Sequence, residues 1–224
     1  MKTYFETILG ELLDHPYLQQ FKYRKRGSFL IKKTSYGKEL IQLDHWNSWN
    51  ISLTVRPIYG VRFDILSKWF EKFSVRTLVD QRDDFSVMFE GDILGRPRMF
   101  EFKYYDTGLS YRKELASLCE SLIECSKFVF NAYSSLDKMY EKEIVPILSE
   151  SKTLPSTGVE WLFESLTLCM IVHPENYQKL KDILLKHVNE MMRYNEPNIS
   201  LYYPRLSEIL SYLENQNFDA SKNR

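Results

Sequence analysis

The chain has 224 residues, of which 44% are hydrophobic and 15% aromatic, enough to fill one large core or two smaller ones. Its 30 basic residues are matched by 30 acidic ones, for a net charge of zero. That balance argues against a dedicated nucleic-acid coat, which needs an excess of Lys and Arg to neutralise phosphates.

The opening stretch "MKTYFETILGELLDHPYL" carries Glu6, Glu11 and Asp14 among its apolar residues, which does not suit a signal peptide. No apolar run approaches the ~18 residues that span a bilayer, so a cytoplasmic protein is expected, with no membrane partner. Tyr4, Phe5, Ile8, Leu9, Leu12 and Leu13 recur at helical spacing and predict a helix ending before Pro16. Then comes "FKYRKRGSFLIKK", with six basic side chains and no acid. Lys22, Arg24, Lys25, Arg26, Lys32 and Lys33 could hold phosphates while Tyr23 or Phe29 stacks on a base. The plainer reading is a charged turn leading into a strand, with Phe21 and Phe29 turned inward. Balanced overall charge and the lack of an RRM or KH signature favour the turn.

Strand signals follow. "SFLIKK" is a short apolar strand, and "TSYGK" is a turn built on Gly37. "ELIQLDHW" alternates, placing Ile41, Leu43 and His45 on one face. "NSWN" reads as a hairpin turn. In "ISLTVRP", Ile51, Leu53 and Val55 should face in and Ser52, Thr54 and Arg56 out, as in an antiparallel sheet with one wet face. Asp64 is expected to cap a short helix carrying Ile65, Leu66, Trp69, Phe70 and Phe73. Two further strands should bury Phe85, Val87 and Phe89, then Phe100, Phe102 and Tyr104, with "GDILGRPR" as a hairpin connection.

From about Tyr111 the pattern turns helical. Leu115, Leu118, Leu122, Cys125, Val129, Ala132, Leu136 and Met139 follow steps of three and four. Apolar flanking residues widen the stripe beyond a coiled-coil seam, which predicts a helix packed into a globular core. "NAYSS" should interrupt it, Pro146 should mark its last part, and "LPSTG" reads as a linker. "VEWLFESLTLCMIV" reads as a buried helix, Pro174 opens another, "YPRLSEILSYLEN" supplies the last, and "QNFDASKNR" reads as a polar tail. The fold class expected is α+β: a mixed, mainly antiparallel sheet of about five strands covered by helices, with an all-helical C-terminal half. Residues 1–106 would form the sheet region and 107–224 a helical region packed on it, possible as one domain.

Chemistry-bearing residues are sparse. Cys119, Cys125 and Cys169 are odd in number and lack framework spacing, so they read as small buried hydrophobes. No zinc spacing, P-loop, dinucleotide fingerprint or nucleophile elbow is present, and no cofactor is expected. His45 and His187 read as satisfied sheet or core histidines. Asp83 and Asp84 open one expected strand, and Glu101 and Lys103 share a face of the next. An acid followed by Glu-x-Lys resembles the PD-(D/E)xK nucleases. That resemblance implies carboxylates holding Mg²⁺ and a Lys positioning water, with Asp84, Glu101 and Lys103 as catalytic residues and Glu6 or Glu11 completing the site. It covers about 20 residues, and Arg82 stands where the motif has Pro. Glu-x-Lys on a wet sheet face is also a common charge pair.

In the first hundred residues, Phe21, Lys25, Gly27 and Phe29, followed by "IQLDHWNSWNISLTV", resemble a group of uncharacterised bacterial domains of unknown function. Gln20 stands where that pattern has Gly. The resemblance implies an immunity- or interaction-type α+β protein by analogy alone. The sequence therefore favours a non-catalytic cytoplasmic protein whose partner is another protein. Its expected surfaces are the aromatic turn at Trp46 and Trp49 and the basic turn at Arg24, Lys25 and Arg26. A metal-dependent nuclease and an RNA binder using residues 21–33 are the alternatives.

Overall fold

Helix α1 (Tyr4–Leu13) starts on a reciprocal cap. The Thr3 hydroxyl accepts from the Glu6 N–H at 3.2 Å, and the Glu6 carboxylate accepts from the Thr3 N–H at 2.8 Å. Phe5, Ile8, Leu9 and Leu12 form its buried stripe. The structure is a computed structural model that describes residues 3–49, 51–77, 81, 84–90, 92–154, 159–194 and 197–218.

Six strands follow the α+β expectation: β1 (Lys22–Arg24), β2 (Phe29–Lys33), β3 (Gly37–Ser48), β4 (Ser52–Phe63), β5 (Val87–Glu90) and β6 (Phe100–Lys103). They form one antiparallel sheet in the order β1-β2-β3-β4-β5, with β6 also paired to β4. The helices lie mostly in the C-terminal half: α2 (Asp64–Ser67), α3 (Leu109–Ala132), α4 (Leu136–Glu143), α5 (Val145–Leu148), α6 (Glu160–Val172), α7 (Tyr177–Met192), α8 (Pro197–Tyr202) and α9 (Leu206–Glu214). No helix among the described residues is long and apolar enough to cross a membrane.

The chain divides into two compact units. The first comprises Met1–Thr34, Lys38–Arg62 and Val87–Ala132, so α3 belongs with the sheet. One face of that sheet carries Leu30, Ile41, Leu43, Val55 and Tyr59, all fully buried. Helix α3 covers it with Leu118, Leu122, Cys125 and Val129. The Tyr59 and Ser121 hydroxyls share a hydrogen bond at 3.1 Å, and Phe102 meets Tyr111 edge-on at 5.8 Å. The second unit comprises Ser35–Gly37, Phe63–Ser86 and Tyr133–Arg224. Its centre is aromatic. Phe70 stacks on Phe163 at 4.7 Å, and Trp69 meets Phe163 edge-on and donates its indole N–H to Thr167 at 2.9 Å.

Several expectations need correction. β5 and β6 are not hairpin partners. β6 pairs with Ser52–Val55 and β5 with Ile58–Val61, so both lie end to end along the twelve-residue β4. The connection between them holds a tight turn with Leu94 at φ 63° and Gly95 at φ 70°. β4 has no wet face over its first residues. Ser52 and Thr54 are buried because β4 is a central strand and their hydroxyls have partners, while Ile51 sits in the turn and is exposed. Phe85, Val87, Phe89 and Tyr104 are only half-buried, whereas Phe100 and Phe102 are buried as expected. Asp64 is the first helical residue and not the cap, which is Phe63. Residues 22–24 form an edge strand ahead of the turn. Ser135 restarts the helix after the break in "NAYSS". The "LPSTG" stretch beyond Leu154 and the tail beyond Phe218 lie outside the described residues.

Candidate interaction surface

The β3–β4 turn stands out by what it leaves in solvent. Trp49 is 92% exposed, and its backbone sits at φ 52°, in the left-handed region. A bulky residue there is an outlier that costs about 1–2 kcal/mol against an ordinary backbone. The Ile51 N–H donates to the Ser48 carbonyl at 2.9 Å, which closes the turn. The end of β6 is fastened to the same turn. The Tyr104 N–H donates to the Ile51 carbonyl at 3.0 Å, and the Tyr104 hydroxyl donates to the Asn47 side-chain oxygen at 2.5 Å. Tyr4 of α1 meets Tyr104 edge-on at 5.1 Å. A rigid frame of hydrogen bonds and rings therefore holds one end of the sheet. Trp46, Trp49, Ile51 and Tyr105 remain exposed there.

β6 pairs only with β4 among the described residues, so it is an edge strand. Its edge is closed to strand addition by side chains. The Glu101 N–H donates to the Glu114 carboxylate at 2.8 Å, and the Lys103 carbonyl accepts from the Tyr4 hydroxyl at 3.3 Å. Beside the turn, His45 stacks on Phe5 at 3.8 Å, with Nδ1 3.1 Å from the Leu43 carbonyl, as a satisfied sheet histidine.

The basic stretch is held by the fold. Phe21 and Phe29 are buried. Gly27 takes φ 74°, and a Cβ there would come within 2.6 Å of the Phe29 ring, so only glycine fits this turn. The Arg24 guanidinium lies over Phe29 at 5.1 Å, Lys25 pairs with Glu6 at 3.0 Å, and Lys32 pairs with Glu39 at 2.9 Å. The Glu6 bond holds the Lys25 ammonium pKa above its usual value. Arg26 accepts at its carbonyl from the Arg24 side chain at 3.1 Å.

The residues of the nuclease reading are divided between the two units. Asp83 lies outside the described residues. Asp84 belongs to the second unit, ahead of β5, and pairs with Arg76 at 2.6 Å. Glu101 and Lys103 are on β6 in the first unit, and Glu101 accepts from the Ser52 hydroxyl at 2.6 Å. Glu6 serves the α1 cap, and Glu11 accepts from the Tyr111 hydroxyl at 2.8 Å. Among the described residues no three His, Cys, Asp or Glu side chains gather where they could share a metal ion.

Cys125 and Cys169 are buried and Cys119 is half-buried. Burial pushes all three thiols above their ordinary pKa, Cys169 to about 11. Such thiols are poor nucleophiles. The Trp49 strain and the frame beneath it escaped the sequence reading. The only sequence signal was the bulky residue inside an Asn- and Ser-rich turn.

Compared with known proteins, the chain matches no family model, no curated protein and no solved structure.

Proposed function

We propose that the chain is a non-catalytic, cytoplasmic protein-interaction protein of the immunity type. Its binding surface is the aromatic end of the sheet around Trp46 and Trp49. The observation that carries this reading is Trp49 itself, 92% exposed at φ 52°. Its own fold gains nothing from that side chain and bears the cost of its backbone. Strain of this kind persists where a site is built for a function. Exposed Trp and Tyr on a rigid frame are also the residues that dominate protein interfaces, because they bury large areas with little side-chain entropy lost.

The test is affinity capture from extract of the native host with the wild-type chain and with Trp46→Ala and Trp49→Ala, each with and without nuclease. The proposal expects a stoichiometric protein that survives nuclease and is lost with either variant, while both variants keep the wild-type circular dichroism. An unchanged partner set with both variants refutes this surface. A partner set that vanishes with nuclease would instead make nucleic acid the ligand and return attention to residues 21–33.

A further inference from the structure

The second unit holds a cleft that plays no part in the reading above. It is an open groove of about 520 Å³ between the turn at Lys68–Lys72 and helix α9. Lys72, Phe73, Arg205, Glu208, Ser211 and Tyr212 line it.

Its cations are held by rings. The Lys72 ammonium sits 3.1 Å from the Tyr212 ring centroid and 4.7 Å from that of Phe73. The Arg205 guanidinium lies over Phe73 at 5.4 Å. Glu208 takes two nitrogens of Arg205, at 3.0 and 3.3 Å, and leaves the third uncommitted to it. Lys72 makes no ion pair among the described residues and acts on Glu208 only at longer range. The lining therefore carries two positive charges against one negative, with the surplus placed over aromatic faces. The Glu208 carboxyl is held below its usual pKa, chiefly by its bond to Arg205. Ser211 adds a hydroxyl at the wall. Asn215 and Gln216 give their amide N–H groups to the Ser211 and Tyr212 carbonyls, at 2.7 and 3.2 Å, which leaves their amide oxygens as acceptors.

We propose that this cleft binds a phosphate monoester carried on a planar group, the class of the nucleoside monophosphates. Lys72 leaves the Tyr212 face to take the phosphate together with Arg205, Ser211 donates to it, and the planar group takes the ring face that Lys72 gives up. Charge-assisted hydrogen bonds from Lys and Arg are the strong contacts such an anion needs.

The experiment is calorimetric titration of the full chain with AMP, inorganic phosphate and adenosine at low salt. AMP should bind more tightly than either inorganic phosphate or adenosine. Lys72→Gln and Arg205→Gln should each weaken AMP about tenfold or more, and added salt should weaken it further. Lys22→Gln and Lys25→Gln, in the first unit, should leave it unchanged. No heat with millimolar AMP, adenosine binding as tightly as AMP, or AMP binding untouched by both cleft variants would each overturn the proposal. So would loss of binding in the Lys22 and Lys25 variants. Circular dichroism of each variant shows that a loss is not misfolding.

Discussion

Two aromatic clusters, one in each unit, are spent in opposite ways. In the second, Phe70, Phe73, Phe163 and Tyr202 are buried, Trp69 and Tyr212 are half-buried against them, and the rings meet at 4.7–6.3 Å. These rings are the core that holds short helices together. In the first, the sheet and α3 supply a complete aliphatic and phenylalanine core, yet Trp46, Trp49, Ile51 and Tyr105 stay in solvent at one sheet end. Folding accounts for the first set and not for the second. The proposed binding surface rests on this difference, which can be broken or sharpened by substitution.

The largest effect belongs to the inward set. Phe163 is fully buried, so Phe163→Ala should cost about 3–5 kcal/mol in urea denaturation. A loss under ~1 kcal/mol would mean that the ring cluster is not the core of the second unit. Trp69→Phe removes the bond to Thr167 and part of the ring's bulk against its neighbours, and should cost about 1–3 kcal/mol. Tyr59→Phe makes the matching test in the first unit, where the lost bond to Ser121 should cost ~1 kcal/mol.

Alkali should act through Cys169. Burial pushes its thiol to about 11, whereas an unfolded cysteine titrates near ~8.5. The folded state then binds the proton more tightly. Its contribution is fully present below ~8.5 and falls as pH rises towards 11. Urea midpoints at pH 8 and pH 10 should therefore drop less for Cys169→Ala than for the wild type.

The smallest effect on stability is expected at the outward set. Trp49→Gly relieves the left-handed backbone strain and gives back part of it as chain entropy. Its unfolding free energy should stay within about 1 kcal/mol of wild type, while partner capture is lost. A large destabilisation would make Trp49 a structural residue and weaken the contrast between the units.

Much of this build was legible in the residues. The apolar spacing from Tyr4 to Leu13 placed α1, and the run from Leu115 to Val129 placed α3. Even the α1 cap is written in "TYFE", where a hydroxyl and a carboxylate three residues apart satisfy each other's backbone groups. Alternation misled at Ser52 and Thr54, because period two marks two faces but not which face a neighbour covers. The placement of β5 and β6 along one strand depends on register, which no local pattern encodes. "HWNSWN" announced an aromatic turn, but Asn would be the usual choice for the positive φ that Trp49 adopts. The cleft was invisible for another reason: Lys72 and Arg205 meet only through the fold of the second unit.

The most direct measurement is site-specific photocrosslinking in the native host, with a photoreactive amino acid at Tyr105 or at Tyr194. Both positions are exposed, at 74% and 81%, but Tyr105 lies at the sheet end of the first unit and Tyr194 in the second. The account predicts one discrete protein adduct from position 105, abolished by Trp49→Gly, and none from position 194. Equal adducts from both positions, or an adduct at 105 that survives Trp49→Gly, would contradict it.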